Sequence, residues 1–350
     1  MKKYGLKIII LLIFFIYTQK LHAFVNVSED KILRNIIVKQ IFAYKYKFIK
    51  IEKNGSIGDN SLYEEGKGTN WNVSFQQDLY IYIIKGIVDK DTDLIDKGIK
   101  AIEYGLSFQS KDGNFSSSSW YDSQQFISSS MYSLLLLKRS SLENQYQNKI
   151  NSLIPRLLIS FTWLRKKFQT EIFDLVSTSE NFSSITISST ALCYKYSAIL
   201  TNDISLSKEA ENLIILLYEK QGNSGVLFEK KGYNIYYQSG TLLNLMIYNF
   251  NSDNYLVNEK ISKILERGFH WLLSRIRPDG SINFLGNYQH DSSSSNNIKP
   301  YIYKTDYTDT ALILAYWGIL SNKQSIFPLS RKVFYYGIDN NKRFNGFFAE

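Results

Sequence analysis

Sulfur, imidazole and proline are scarce in this chain: its 350 residues hold one cysteine, three histidines and four prolines. A single thiol excludes an intramolecular disulfide. Cys193 lies in STALCYKYSAIL, an apolar helical pattern that predicts a small buried hydrophobe. His22 falls in an N-terminal segment expected to be removed, leaving only His270 and His290. Two distant histidines and one cysteine cannot build the usual tetrahedral zinc sites, so neither metal nor cofactor is expected. Period-two alternation of apolar residues is also scarce, which argues against a sheet protein. No Gly-rich phosphate loop and no G-x-S-x-G elbow occur.

What the chain has instead is apolar mass and aromatic rings. It is 44% apolar and 21% charged, with 26 Tyr, 22 Phe and 5 Trp, a globular composition able to fill a core without covalent staples. At the N-terminus Lys2, Lys3 and Lys7 precede IIILLIFFIY (residues 8–17), followed by TQKLHA ending at Ala23. Ten apolar residues are too few to cross a bilayer comfortably but suit a secretory signal, so residues 1–23 are expected to be a signal peptide or N-terminal anchor. The remainder, 24–350, is expected to be one domain, secreted or in the periplasm or cell envelope. Membrane association follows only if the segment stays uncleaved. The formal charge of +9 includes Lys2, Lys3, Lys7 and Lys20, so residues 24–350 carry about +5. Those charges are dispersed, unlike the aromatic-interleaved basic patch of a nucleic-acid binder, and no nucleic-acid partner is expected.

Helical periodicity predicts helices near 28–49, 71–88, 91–108, 121–138, 145–168, 183–200, 204–220, 235–250, 254–276, 304–320 and 325–337. Within this series the chain repeats itself. EYGLSFQSKDGNF (103–115) and GFHWLLSRIRPDGSINF (268–284) share a helix end, a polar spacer, Asp-Gly and a closing aromatic. EKQGNSGVLFEKKGYNIYYQSGTLLNLMIY (219–248) reads as a degenerate copy, and RKKFQTEIFDLVSTSENFSSITISSTALCYKYSAIL (165–200) as a fainter one. Gly113 and Gly280 are suited to the positive φ that closes a helix. After each turn comes a helix that opens polar and continues almost wholly apolar, as a helix enclosed on all sides should. An array of helical hairpins follows, closed into a ring.

The helix end, spacer, Asp-Gly-Ser/Asn and aromatic together resemble the turns of α/α-toroid proteins, over most of residues 70–320. That superfamily spans terpenoid-cyclase and prenyltransferase-like folds, polysaccharide lyases, glycoside hydrolases and uronate epimerases. The resemblance implies an all-α fold of five to six hairpins with its site at one mouth of the barrel. The DxDD acid motif of protonating terpene cyclases is missing, and DKDTD at 89–93 reads as a capping turn.

At the mouth of such a ring the candidates lie in GTNWNVSFQQD (68–78), WYDSQQ (120–125), YYQSGT (236–241), YTDT (307–310) and the loop FLGNYQHDSSSSNN (284–297). Asn70, Trp71, Gln77, Trp120, Gln125, Tyr237, Gln238 and Tyr307 offer the rings and amides that stack on sugars and bond hydroxyls. His290, Tyr288, Tyr121, Asp122 and Asp309 are the catalytic candidates. On a uronate polymer, His290, Tyr288 or Tyr121 takes the C5 proton, giving elimination or epimerisation, with Asn70, Gln77 or Lys67 on the carboxylate. On other glycans Asp122 and Asp309, or Asp78, act as an acid/base pair. The structural alternatives are first-turn caps for Asp122 and Asp309, core for Trp71 and Trp120, and a packed helix residue for His270. The partner expected is an extracellular or envelope polysaccharide. The function expected is that of a polysaccharide lyase, uronate epimerase or glycoside hydrolase, with a non-catalytic glycan-binding or scaffold protein of the cell envelope as the alternative.

Overall fold

A computed structural model describes residues 49–345 apart from 65, 67–70, 116–117, 178–181, 230–231 and 286–300, without the side chains of 173–177, 301–306 and 341–345. The described residues are all-α and carry no named strand. Their eleven helices are α1 (Asp59–Glu64), α2 (Leu79–Asp89), α3 (Thr92–Ser107), α4 (Trp120–Lys138), α5 (Glu143–Ser177), α6 (Ser184–Thr201), α7 (Ile204–Lys220), α8 (Ile235–Phe250), α9 (Tyr255–Leu273), α10 (Tyr301–Leu320) and α11 (Ile326–Asn345). A 3-10 segment, Val73–Asp78, leads into α2. The expected helix at 28–49 and the signal segment 1–23 lie outside the described residues. The expected helix at 71–88 divides into the 3-10 turn and α2, and α1 was not anticipated.

The described residues form two compact units, residues 49–173 with 189–210, and residues 174–188 with 211–345. In the first, α2 packs on α3 and on α4; in the second, α8 packs on α9 and on α10, and α10 on α11. Two kinds of helix are visible. α3 is amphipathic: Leu94, Ile95, Ile99, Ile102 and Leu106 are buried while Asp93, Asp96, Lys97 and Lys100 face solvent. Asp91 starts it, its carboxylate accepting from Leu94 N at 3.2 Å. α4 is enclosed, with every residue from Ser130 to Leu137 buried. α6 behaves likewise over Thr190 to Ala198, which includes Cys193 at 0% exposure, where burial pushes the thiol up to about 12. Stacked and edge-on rings fill the contacts, with Tyr132 on Tyr196 at 5.5 Å in one unit and Phe269 on Trp317 at 4.3 Å in the other.

The joint between hairpins is one turn used four times. It spans Ile51–Ile57, Gln109–Phe115, Gln221–Leu227 and Ile276–Ile282. In each, the second residue's N–H donates to the carbonyl four positions on, and the glycine N–H donates back to that second residue, all at 2.8–3.0 Å. Gly55, Gly113, Gly225 and Gly280 all have φ between 91° and 100°. The apolar residue two positions later, Ile57, Phe115, Leu227 or Ile282, is at most 4% exposed and anchors the turn. Asp279 stiffens its copy by accepting from Ser281 N at 2.9 Å and Ser281 Oγ at 2.7 Å, contacts that hold its carboxyl below the usual range. Asn54 makes the same pair of bonds with Ser56, at 3.0 and 2.8 Å.

Each turn sits on the backbone of a later amphipathic helix. A Cβ on Gly113 would lie 2.5 Å from Ile159 O on α5, and one on Gly280 would lie 2.5 Å from Lys332 O on α11. Gly55 and Gly225 approach Lys100 O on α3 and Arg267 O on α9 in the same way. In the fainter copy expected at 165–200, α5 runs to Ser177 and α6 begins at Ser184, and the joining segment 178–181 lies outside the described residues. A fourth described turn, which the sequence repeats did not include, is IEKNGSI, residues 51–57. Gly280→Ala combines a strained φ with a backbone clash and should cost at least about 2 kcal/mol. Chemical denaturation of the full chain measures it, and a loss below about 0.5 kcal/mol would contradict the close approach.

Candidate functional site at the helix openings

In the first unit the starts of α2 and α4 are tied together. Asn72 opens the 3-10 segment, its Oδ1 accepting from Ser74 N at 2.8 Å, and its Nδ2 donates to Asp122 Oδ2 at 3.2 Å. Asp122 closes a capping box on α4. Its Oδ2 accepts from Ser119 N at 3.2 Å and Ser119 Oγ at 2.7 Å, while Asp122 N donates to Ser119 Oγ at 3.1 Å. Val73 N donates to Ser118 Oγ at 2.9 Å, and Asn60 holds the backbone of Asn72 from both sides. Asp122 therefore acts as a first-turn cap in this geometry.

Beside it, Trp120 and Tyr121 form a half-buried edge-on pair with centroids 6.5 Å apart, and Trp120 also meets Phe168 at 6.4 Å. Gln125 is half-buried on the same helix. Trp71 is 4% exposed and stacks on Phe108 at 4.2 Å, so it belongs to the core. Gln77 is half-buried, its backbone carbonyl accepting from Ser129 Oγ. Its neighbour Gln76 is fully buried. Gln76 Oε1 accepts from Ile57 N at 2.8 Å, and Nε2 donates to Gly55 O at 2.8 Å and Ala101 O at 3.2 Å.

The second unit repeats this arrangement at α8. Asn234 Oδ1 caps Tyr237 N at 3.1 Å. Gln238 Oε1 accepts from Leu227 N at 2.8 Å, and Nε2 donates to Gly225 O and Gly268 O, each at 3.3 Å. Gln238, expected to bind substrate, is thus a fully buried clamp holding the glycine turn to α9. The signal that would have identified both clamps is NVSFQ (72–76) recurring as NIYYQ (234–238). Tyr307 holds the equivalent place for the Ile282 turn. It is 6% exposed, its hydroxyl accepts from Ile282 N at 3.1 Å, and its ring lies 5.3 Å from Tyr336. Tyr236 and Tyr237 are a half-buried pair at 5.4 Å.

The unforeseen group is Glu229, 3% exposed. Its Oε1 accepts from Ser184 Oγ at 2.7 Å and Ile185 N at 2.8 Å, and its Oε2 from Ser183 Oγ at 2.8 Å. Burial pushes its carboxyl up to about 7, against the lowering effect of these donors at the start of α6. Asp309 does not sit at a cap, because α10 begins at Tyr301; it is half-buried between the buried Thr308 and Thr310. Asp122 and Asp309 belong to different units. Asn70, Lys67, Tyr288 and His290 lie outside the described residues. His270 is exposed in the last turn of α9.

Among the described residues no group of three or more His, Cys, Asp or Glu could hold a metal ion, and no helix is long and apolar enough to cross a membrane. No protein-family model, curated protein or solved structure matches the chain. Gln238→Ala orphans buried partners and should cost about 2–4 kcal/mol, whereas Gln125→Ala should stay within about 0.5 kcal/mol. Thermal or urea denaturation of the two variants tests the contrast, which equal losses would refute.

Proposed function

We propose that this chain is an exported glycan-binding protein whose hairpins close into an α/α toroid, with sugar contacts at the helix openings. The observation that carries the reading is the state of the side chains there. The rings of Trp120 and Tyr121, and of Tyr236 and Tyr237, remain half-buried in pairs, while the nearby carboxylate of Asp122 is engaged in capping. Half-buried rings beside amides and hydroxyls suit the apolar faces and rim hydroxyls of pyranoses. Export rests on the basic and apolar character of residues 2–17. Closure rests on the recurrence of one turn seated on a later helix in both units.

One observation favours the enzymatic alternative, a lyase, epimerase or hydrolase. Glu229 is a buried carboxyl held at about 7, the range in which a general acid or base works best. Its three donors and 3% exposure suit a cap better than contact with a polymer, so binding is the stronger reading.

The deciding experiment incubates the protein with a panel of neutral and acidic polysaccharides. It follows binding by affinity electrophoresis and product by unsaturated-uronate absorbance and new reducing ends. Binding without product is the expected result. Trp120→Ala and Tyr236→Ala should each weaken it about tenfold, a loss of about 1.4 kcal/mol per ring. Product formation would establish the enzyme reading instead. For the closed ring, small-angle scattering should give a radius of gyration near 20 Å, about the value for a compact chain of this length. A markedly larger value would leave the toroid without support.

A further inference from the structure

We infer that Arg275 is the anion receptor of the α8 opening, placed to take the carboxylate of an acidic saccharide; this rests on the glycan reading above and names the class of glycan. Arg275 follows α9 and stands one residue before the Ile276–Ile282 turn. Its backbone is pinned, the carbonyl accepting from Asn283 N at 2.8 Å. Its side chain lies on two rings, the guanidinium carbon 4.7 Å from the Tyr233 centroid and 5.1 Å from that of Trp271. The rings themselves meet edge-on at 5.0 Å, Trp271 is buried, and the Tyr233 hydroxyl donates to Leu285 O. Both rings of this platform are therefore held by groups other than the arginine. Tyr233 immediately precedes Asn234, the cap of α8, and then the Tyr236–Tyr237 pair.

What the guanidinium lacks is an acceptor. Among the described residues its N–H groups make no hydrogen bond and no ion pair, although the residue is half-buried. Arg267 on α9 buries its Nη2 without a partner; every nitrogen of Arg275 reaches the surface instead. The one acid of the adjoining turn, Asp279, is committed to Ser281 N and Ser281 Oγ at 2.9 and 2.7 Å. Other cations of the fold do pair, Arg165 with Glu209 and Lys263 with Glu259 at 2.8 Å. An arginine laid on aromatic faces keeps its charge and its planar fork but gives up part of its water. The donors left over match the two oxygens of a carboxylate. Fixing the fork beforehand also lowers the entropy lost when an anion is held. A uronate supplies that carboxylate on the same kind of pyranose ring for which the tyrosine pair is proposed. A neutral sugar leaves the charge unmet.

Calorimetric titration of the full chain with oligogalacturonate and with its fully methyl-esterified form tests this, because the two share rings and hydroxyls and differ in charge. The wild type should bind the acid about tenfold or more tighter than the ester. Arg275→Gln should remove that preference and leave affinity for the ester unchanged. Lys97→Gln, which takes the same charge from the exposed face of α3, should leave the preference intact. Equal wild-type affinity for acid and ester would overturn the inference and leave sugar binding standing. Binding of neither would take the glycan reading down with it. A preference that survives in Arg275→Gln, or falls as far in Lys97→Gln, would overturn the inference alone. If the glutamine variant does not fold, Arg275→Lys carries the test: it keeps the charge and loses the fork, and an undiminished preference in it would overturn the inference.

Discussion

The contact between a glycine and a helix carbonyl sets the terms for the rest of the molecule. In each unit a turn comes so close to the backbone of a later helix that no side chain fits between them, at Ile159 for Gly113 and Lys332 for Gly280. Burying that much peptide costs free energy unless each polar group finds a partner. The buried amides of Gln76 and Gln238 satisfy turn and helix at once, Ser160 Oγ takes Gly113 O at 2.7 Å, and the Tyr307 hydroxyl takes Ile282 N. Gln76, Gln238, Ser160 and Tyr307 are buried polar residues that join one hairpin to the next.

The openings of the enclosed helices inherit this logic. Asn72 and Asn234 start their helices, and four residues later a glutamine reaches back to the preceding turn. Cap and clamp fix the first helical turn between them; of the three residues they enclose, the first, Val73 or Ile235, is fully buried and the next two are only half-buried or exposed. In the second unit those are Tyr236 and Tyr237. Ring position at the opening is thus set by an amide network that does not itself face solvent.

Periodicity revealed most of the helices, because burial stripes such as Leu94, Ile95, Ile99, Ile102 and Leu106 repeat at the helical spacing. The long apolar run of α4 likewise announced a helix buried all round. The candidate site was far less legible. A polar residue at a helix start looks the same in sequence whether it faces a ligand or a backbone. Gln77 and Gln76 are adjacent in the 3-10 segment, yet only Gln76 turns inward, a difference of about 120° around the axis that composition cannot express. Asp122 was recognisable as a cap from Ser119 three residues earlier. Glu229 was not, since its donors come from residues 183–185, more than forty positions away.

One turn recurs with little in common between its copies beyond the glycine and the apolar residue after it. NGSI, DGNF, SGVL and DGSI have the same backbone because what they touch is a carbonyl, which every amino acid carries. The receiving helix is consequently under no chemical obligation at the seat: Lys100, Ile159, Arg267 and Lys332 occupy it with unrelated side chains. Such a joint lets the receiving helices drift almost without restriction in residue type while their spacing from the turn stays put, so kinship among the copies persists in shape after it has faded from the letters.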